Sequence, residues 1–103
     1  FDEIVDNTSS TSVTIDWNDG NRQEITMGHD ITFTFTDPSG PTNVTLLLFQ
    51  DGTGSRTATW PASIHWAGGS APTLTTTAGQ LDIIGCIYRS SVYYCQSSLN
   101  FAP

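Results

Sequence analysis

The sequence predicts an all-β fold: a single-domain antiparallel β-sandwich or jelly roll of about seven to nine short strands. Three observations predict it. Hydrophobicity alternates with a period of two rather than 3.6, most cleanly in Asp30-Ile31-Thr32-Phe33-Thr34-Phe35-Thr36. The alternating residues are threonine on one side and β-branched or aromatic residues on the other, which suits a half-buried pleated surface. Clusters of Gly, Pro, Asn, Asp and Ser interrupt the pattern at strand-length intervals, and no window carries a helical apolar stripe.

The elements follow in order. Residues 1–10 form an N-terminal arm. Ser12–Trp17 and Arg22–Met27 are strands, and Asn18-Asp19-Gly20-Asn21 between them reads as a hairpin turn. Gly28-His29-Asp30 turns the chain into Ile31–Thr36. Asp37-Pro38-Ser39-Gly40-Pro41 ends that strand, because proline cannot donate to a ladder. Val44–Gln50 follows, then a tight hairpin turn over Asp51–Ser55, then Arg56–Trp60. Pro61 breaks the pattern before Ser63–Trp66, and Ala67–Pro72 is a loop. Thr73–Thr77 is a short strand and Leu81–Tyr88 a long one. Val92–Gln96 returns after Arg89-Ser90-Ser91, and residues 98–103 are an extended tail. No internal repeat and no linker divides residues 1–103, so one domain is expected.

Composition narrows the function classes. The chain has 103 residues, a net charge of −7 and 13% charged residues, and its three basic residues, Arg22, Arg56 and Arg89, are all arginines. A typical soluble domain carries about 25% charged residues. Three scattered arginines make no basic patch, so neither nucleic acid nor an anionic membrane surface is an expected partner. No apolar run approaches the roughly 20 residues of a spanning helix, so no membrane insertion is expected. No charged segment precedes an apolar one in the manner of a signal peptide, and the Phe1 start points to processing or truncation. Hydroxyl side chains replace charge on the polar faces, the composition of a subunit in an assembly.

Two strands are apolar on both faces. Val44, Leu46 and Leu48 lie on one side of their strand, with Leu47 and Phe49 on the other; Leu81, Ile83 and Ile87 oppose Ile84, Cys86 and Tyr88 in the same way. A two-layer sandwich needs one apolar face per strand. The surplus face, assigned to Leu47, Phe49, Ile84 and Tyr88, needs a loop, the tail or another copy of the chain to cover it, and a homo-oligomeric interface is the expectation.

No residue pattern points to catalysis, a cofactor or a metal. His29 and His65 are far apart, with no ligand spacing around either, and read as partly exposed structural side chains. Asp51-Gly52-Thr53-Gly54-Ser55 reads as a turn rather than a nucleophile loop or a calcium loop. Asp16, Asp19, Glu24, Asp30, Asp37, Asp51 and Asp82 are spread singly and are expected to be solvated. The chain is not expected to be an enzyme.

Cys86 and Cys95 depend on register. If Arg89–Val92 is a four-residue connection, Tyr88 faces Tyr93 and Cys86 faces Cys95, where a disulfide can form. A three-residue connection pairs Cys86 with Tyr94 and forbids it. The alternative role is two small apolar core residues. Trp60 and Trp66 each continue an apolar face, which favours core placement; with Tyr93 and Tyr94 they are also the candidate stacking platforms for a glycan or a protein partner.

The stretch from Gln50 through Asp51-Gly52-Thr53-Gly54-Ser55-Arg56-Thr57 to Trp60-Pro61 carries a resemblance, continued by Ile64-His65-Trp66-Ala67-Gly68-Gly69, Ala71-Pro72-Thr73-Leu74, Leu81-Asp82-Ile83-Ile84 and Tyr93-Tyr94. Over about Val13 to Phe101 the chain resembles a β-rich domain of tailed-bacteriophage virion proteins, often found at the C-terminal end of tail fibres and other surface appendages. The resemblance implies a place, the virion, more than a chemistry. It implies a non-enzymatic structural protein, assembled in the host cytoplasm, that is usually a homotrimer and contacts other virion proteins. A host-surface glycan or receptor is the further partner it implies. Lacking a fibre shaft, the chain is either a terminal or processed domain of a longer protein or a capsid decoration (cement) protein. The competing class is a glycan- or receptor-binding β-sandwich module. The cysteines depart from the family pattern as a local replacement pair, which favours the bridge, while the reducing host cytoplasm opposes it until release.

Overall fold

A computed structural model describes residues 4–102. Residues 1–3 of the expected N-terminal arm and residue 103 of the expected tail lie outside the described residues. Among the described residues nine strands form in chain order: β1 (Val5–Asn7), β2 (Ser12–Asp16), β3 (Arg22–Met27), β4 (Ile31–Thr36), β5 (Thr42–Gln50), β6 (Ala58–Thr59), β7 (Ile64–Trp66), β8 (Leu81–Arg89) and β9 (Val92–Phe101). They make two sheets, one ordered β1-β3-β5-β8-β9-β7 and the other β2-β4-β6. The chain is all-β, as the alternation predicts.

The pairing is not the wholly antiparallel one expected. From β1 to β6 each strand crosses to the other sheet and pairs in parallel with the strand two before it. Val5 lies beside Gln23 and Gln23 beside Leu46, while Ser12 lies beside Thr32 and Thr32 beside Thr59. The chain winds as a coil around a shared core, and only then closes with the antiparallel set β5-β8-β9. β7 adds in parallel to β9.

Two expected hairpins are therefore crossovers. Asn18–Asn21 carries the chain from β2 in one sheet to β3 in the other, and Asp51–Ser55 does the same from β5 to β6. A short polar turn has the same composition whether the chain folds back beside itself or steps across to a facing layer. Buried glutamines hold these corners. Gln23 Nε2 donates to the carbonyls of Asp16 (2.7 Å) and Gly20 (2.9 Å), and Gln23 Oε1 accepts from Asn7 Nδ2 (3.1 Å), which ties β1 to β3. Gln50 Nε2 donates to the carbonyls of Arg56 and Thr75, both at 2.9 Å, and Gln50 Oε1 accepts from Arg56 N at 3.0 Å.

Between the sheets lie Val13, Ile15 and Trp17 from β2 and its exit, Ile31 and Phe33 from β4, Ile25 and Met27 from β3, and Val44, Leu46 and Leu48 from β5. Ile84, Cys86, Tyr88, Tyr93 and Cys95 complete the core from β8 and β9. Each fully buried Ile, Leu or Phe contributes about 1.5–3 kcal/mol over the exposed state.

Thr73–Thr77 is not a strand. It is an extended segment anchored by Leu74 in the core and by backbone bonds to buried side chains. The ends are more regular than expected: Val5–Asn7 of the arm is a strand, and β9 runs on through Phe101, which pairs with Leu81 across a register shift.

Candidate functional site

The site is built by alternation along β5, β8 and β9, which makes the outer face of the larger sheet. Cα partners across these strands place Phe49 beside Leu81 and Leu81 beside Phe101, Leu47 beside Ile83, Thr45 beside Gly85 and Gly85 beside Gln96, and Asn43 beside Ile87 and Ile87 beside Tyr94. His65 of β7 continues the last row beside Tyr94. On β5, on β8 and at Tyr94 and Gln96 of β9 these positions alternate with buried or half-buried ones, while the end of β9 through Phe101 is exposed throughout.

This corrects half of the expected surplus face. Leu47 and Phe49 do point outward and are half-buried. Ile84 and Tyr88 point inward and are 1% and 8% exposed. Their outward counterparts are Leu81, Ile83 and Ile87. Both faces of each strand are apolar, so alternation alone cannot say which is inside. The register of Leu46 with Ile84 and Val44 with Cys86 decides it.

The outer face has two ends. At one, Leu47, Phe49, Leu81, Ile83 and the exposed Phe101 form an apolar surface flanked by Glu24 and Thr26 of β3. At the other, Gly85 leaves a shallow depression of about 560 Å³, with Asn43, Thr45, Ile87, Tyr94 and Gln96 around it. A Cβ built on Gly85 meets nothing within 4 Å. His65 meets the Tyr94 ring edge-on, with centroids 5.6 Å apart. The sequence signal for this end was a glycine in mid-strand, where it marks close approach to the backbone; Asn43, Ile87 and Gln96 carried none.

Beneath the depression Cys86 and Cys95 are directly opposite, with Cα atoms 4.1 Å apart, and are joined by a disulfide. The connection is a two-residue turn, Ser90-Ser91, with both residues at positive φ (51° and 64°) as a tight hairpin requires.

Of the four candidate platforms, Tyr94 is 45% exposed, whereas Tyr93 is fully buried and is not a platform. The Tyr93 hydroxyl donates to Asp37 Oδ1 at 2.8 Å, and burial together with that carboxylate pushes the phenol well above its ordinary value. Trp60 is half-buried, stacked on Phe33 at 5.1 Å, and Trp66 packs edge-on against Trp60 at 5.4 Å, so both are partly spent on the core.

The acids are not all solvated. Asp82 is 3% exposed; its Oδ2 accepts from Thr75 N at 2.7 Å and its Oδ1 from Asn100 N at 2.8 Å. An acid in phase with Ile84, Cys86 and Tyr88 had to be buried and paired. The Asp51 carboxylate receives Arg56 Nη2 at 3.1 Å and the N–H groups of Gly54 and Thr53; the Arg56 bond first, then Gly54, holds its carboxyl below the usual range. Gly54 sits at φ +74°, where a Cβ would come within 2.5 Å of the Thr76 carbonyl, so glycine is required. The Asp51–Arg56 run is thus an architectural knot between the two sheets.

His29 is exposed, with Nδ1 2.9 Å from Ser9 Oγ, which also accepts from Gly28 N. Among the described residues, no three His, Cys, Asp or Glu side chains converge as metal ligands.

A family model described as "Putative phage tail fibre C-terminal domain" matches residues 8–91. No curated protein and no solved structure matches the chain.

Proposed function

Because this chain belongs to the phage tail fibre C-terminal domain family, in which it has a structural tail-fibre role tied to other virion proteins, we propose that it acts without catalysis as a homotrimer. The observation that carries the assembly is the apolar end of the outer face. Leu47, Phe49, Leu81 and Ile83 are too large and contiguous for a surface that a lone domain would keep wet. Three copies apposed there would cover it, and with no lysine in the chain neighbouring copies would also guard the sheet edges.

The family supports a tail appendage over capsid decoration as the place of this domain. Light scattering coupled to size exclusion tests the assembly: the expected mass is three times the 11.1 kDa chain, and a clean monomer at micromolar concentration overturns it.

A second role, attachment to the host surface, is favoured by a separate observation. The Gly85 depression and its exposed Tyr94 lie at the opposite end of the same face, clear of the apolar patch. Competition between the isolated domain and the phage for host cells tests this role.

A further inference from the structure

Resting on that host-attachment role, we infer that the Gly85 depression binds a neutral saccharide, with the Tyr94 ring as its stacking surface and Asn43, Thr45 and Gln96 as its hydrogen-bonding rim. Four features carry this. The size, about 560 Å³, falls within the range of small-ligand sites and holds one or two sugar rings. The floor is bare backbone at Gly85, so a ligand can approach the sheet where any other residue would stand in the way.

The rim chemistry matches a pyranose. The side chains of Asn43 and Gln96 are exposed carboxamides, each offering both donors and an acceptor, and Thr45 offers a hydroxyl. Sugar hydroxyls are likewise donors and acceptors together. Tyr94 and Ile87 are 45% and 57% exposed, supplying an aromatic and an aliphatic surface for the apolar C–H face of the ring. The edge contact from His65 restrains the Tyr94 ring.

The charge pattern selects a neutral ligand. Among the described residues no Asp, Glu, Lys or Arg lines the depression, although the chain carries a net charge of −7. An anionic sugar would find no cation to offset its desolvation and would meet the net negative field of the domain.

The floor also provides the test. A valine at position 85 has room for its Cβ and favours a strand, so Gly85→Val fills the site while keeping the fold. The probes are glucose, galactose, mannose and N-acetylglucosamine with their disaccharides, and glucuronic and sialic acids as charged controls. Titration followed by NMR should give saturable shifts at Tyr94, Gln96 and Ile87 with a neutral sugar and none with the acids. Gly85→Val and Tyr94→Ala should each weaken binding at least tenfold, with the thermal transition of Gly85→Val unchanged or raised.

Absence of saturable binding to every neutral probe overturns the inference. So does binding that Gly85→Val leaves intact. If no sugar binds but Gly85→Val abolishes competition for host cells, the ligand class is wrong and the attachment role stands. If Gly85→Val competes as well as the parent, attachment through this site falls too. A Gly85→Val chain whose mass differs from the parent's by light scattering assigns the depression to contact between copies, which also overturns the inference.

Discussion

The two ends of the outer face share three strands and one alternation, yet each is the inverse of what lies beneath it. Where the outside is apolar, at Phe49, Leu81 and Phe101, the inside holds the polar side chains of Gln50 and Asp82. Where the outside is polar and aromatic, around Gly85, the inside holds the Cys86–Cys95 disulfide and the Tyr88–Tyr93 ring pair, 4.8 Å between centroids. The first end fixes loops from within and presents a surface to be covered. The second is rigid within and stays open without. On the proposed assignment one sheet keeps assembly and recognition about 20 Å apart, the six residue steps from Asn43 to Phe49 at about 3.3 Å each.

The largest expected effect breaks the apolar end. Phe49→Asp places a charge in the proposed contact between copies, and an unpaired buried charge costs several kcal/mol. The trimer should dissociate to monomer at micromolar concentration by light scattering, a weakening of at least about 100-fold. Gly85→Val should leave the mass unchanged. Equal behaviour of the two variants would erase the distinction between the ends.

Removing the polar support under the same end comes next. Asp82→Ala strands the N–H groups of Thr75 and Asn100, which sit against a buried carboxylate. A loss of about 3 kcal/mol in urea unfolding is expected. Amide exchange should rise in residues 73–80 and 98–101 before it rises at Tyr93.

Reduction of the disulfide addresses the other end. Its loop is short, with a sequence separation of 9, so the stabilisation expected is modest, about 2 kcal/mol. Reductant should lower the thermal transition and loosen the depression without changing the mass. An unchanged transition with titratable free thiols would show that the bridge carries no stability.

How far these ends were legible follows from what alternation encodes. Ile31–Thr36 could be read as a strand because period two is a local property, and Leu81–Tyr88 because a short apolar run rich in isoleucine and bounded by turn residues is local too. The coil could not, since parallel pairing of β1 with β3 and of β2 with β4 is decided by which layer a turn delivers the chain to. The Cys86–Cys95 register was legible up to the length of one turn. Ile84 and Tyr88 were assigned outward because both faces of their strand are apolar, and the one polar marker on it, Asp82, sits on the inner face. The depression was legible only as Gly85. Its rim comes from β5 and from the β8–β9 hairpin some forty residues further on, and no local pattern records that they meet.

The smallest effect is in acid, and it separates the ends by charge. Asp51 follows β5 at the apolar end, and its Arg56 pairing and the Gly54 N–H hold its carboxyl below the ordinary 3.8. A group with a depressed folded value adds stability above its unfolded pKa and loses it as the pH falls through the folded one. Thermal transitions should therefore be flat from neutral pH to about pH 5 and decline below about pH 4. The decline should be shallower in Asp51→Asn, whose amide cannot titrate. The pair is partly exposed, with both side chains at 26%, so salt will screen it and the effect stays small. Among the described residues no carboxylate lines the Gly85 depression at the other end, so amide protection at Tyr93 and Cys95 should outlast that at Ser55 and Gly79 as the pH drops. Simultaneous loss at both ends would mean that the two halves of the face unfold as one unit, and that their difference lies in surface chemistry alone.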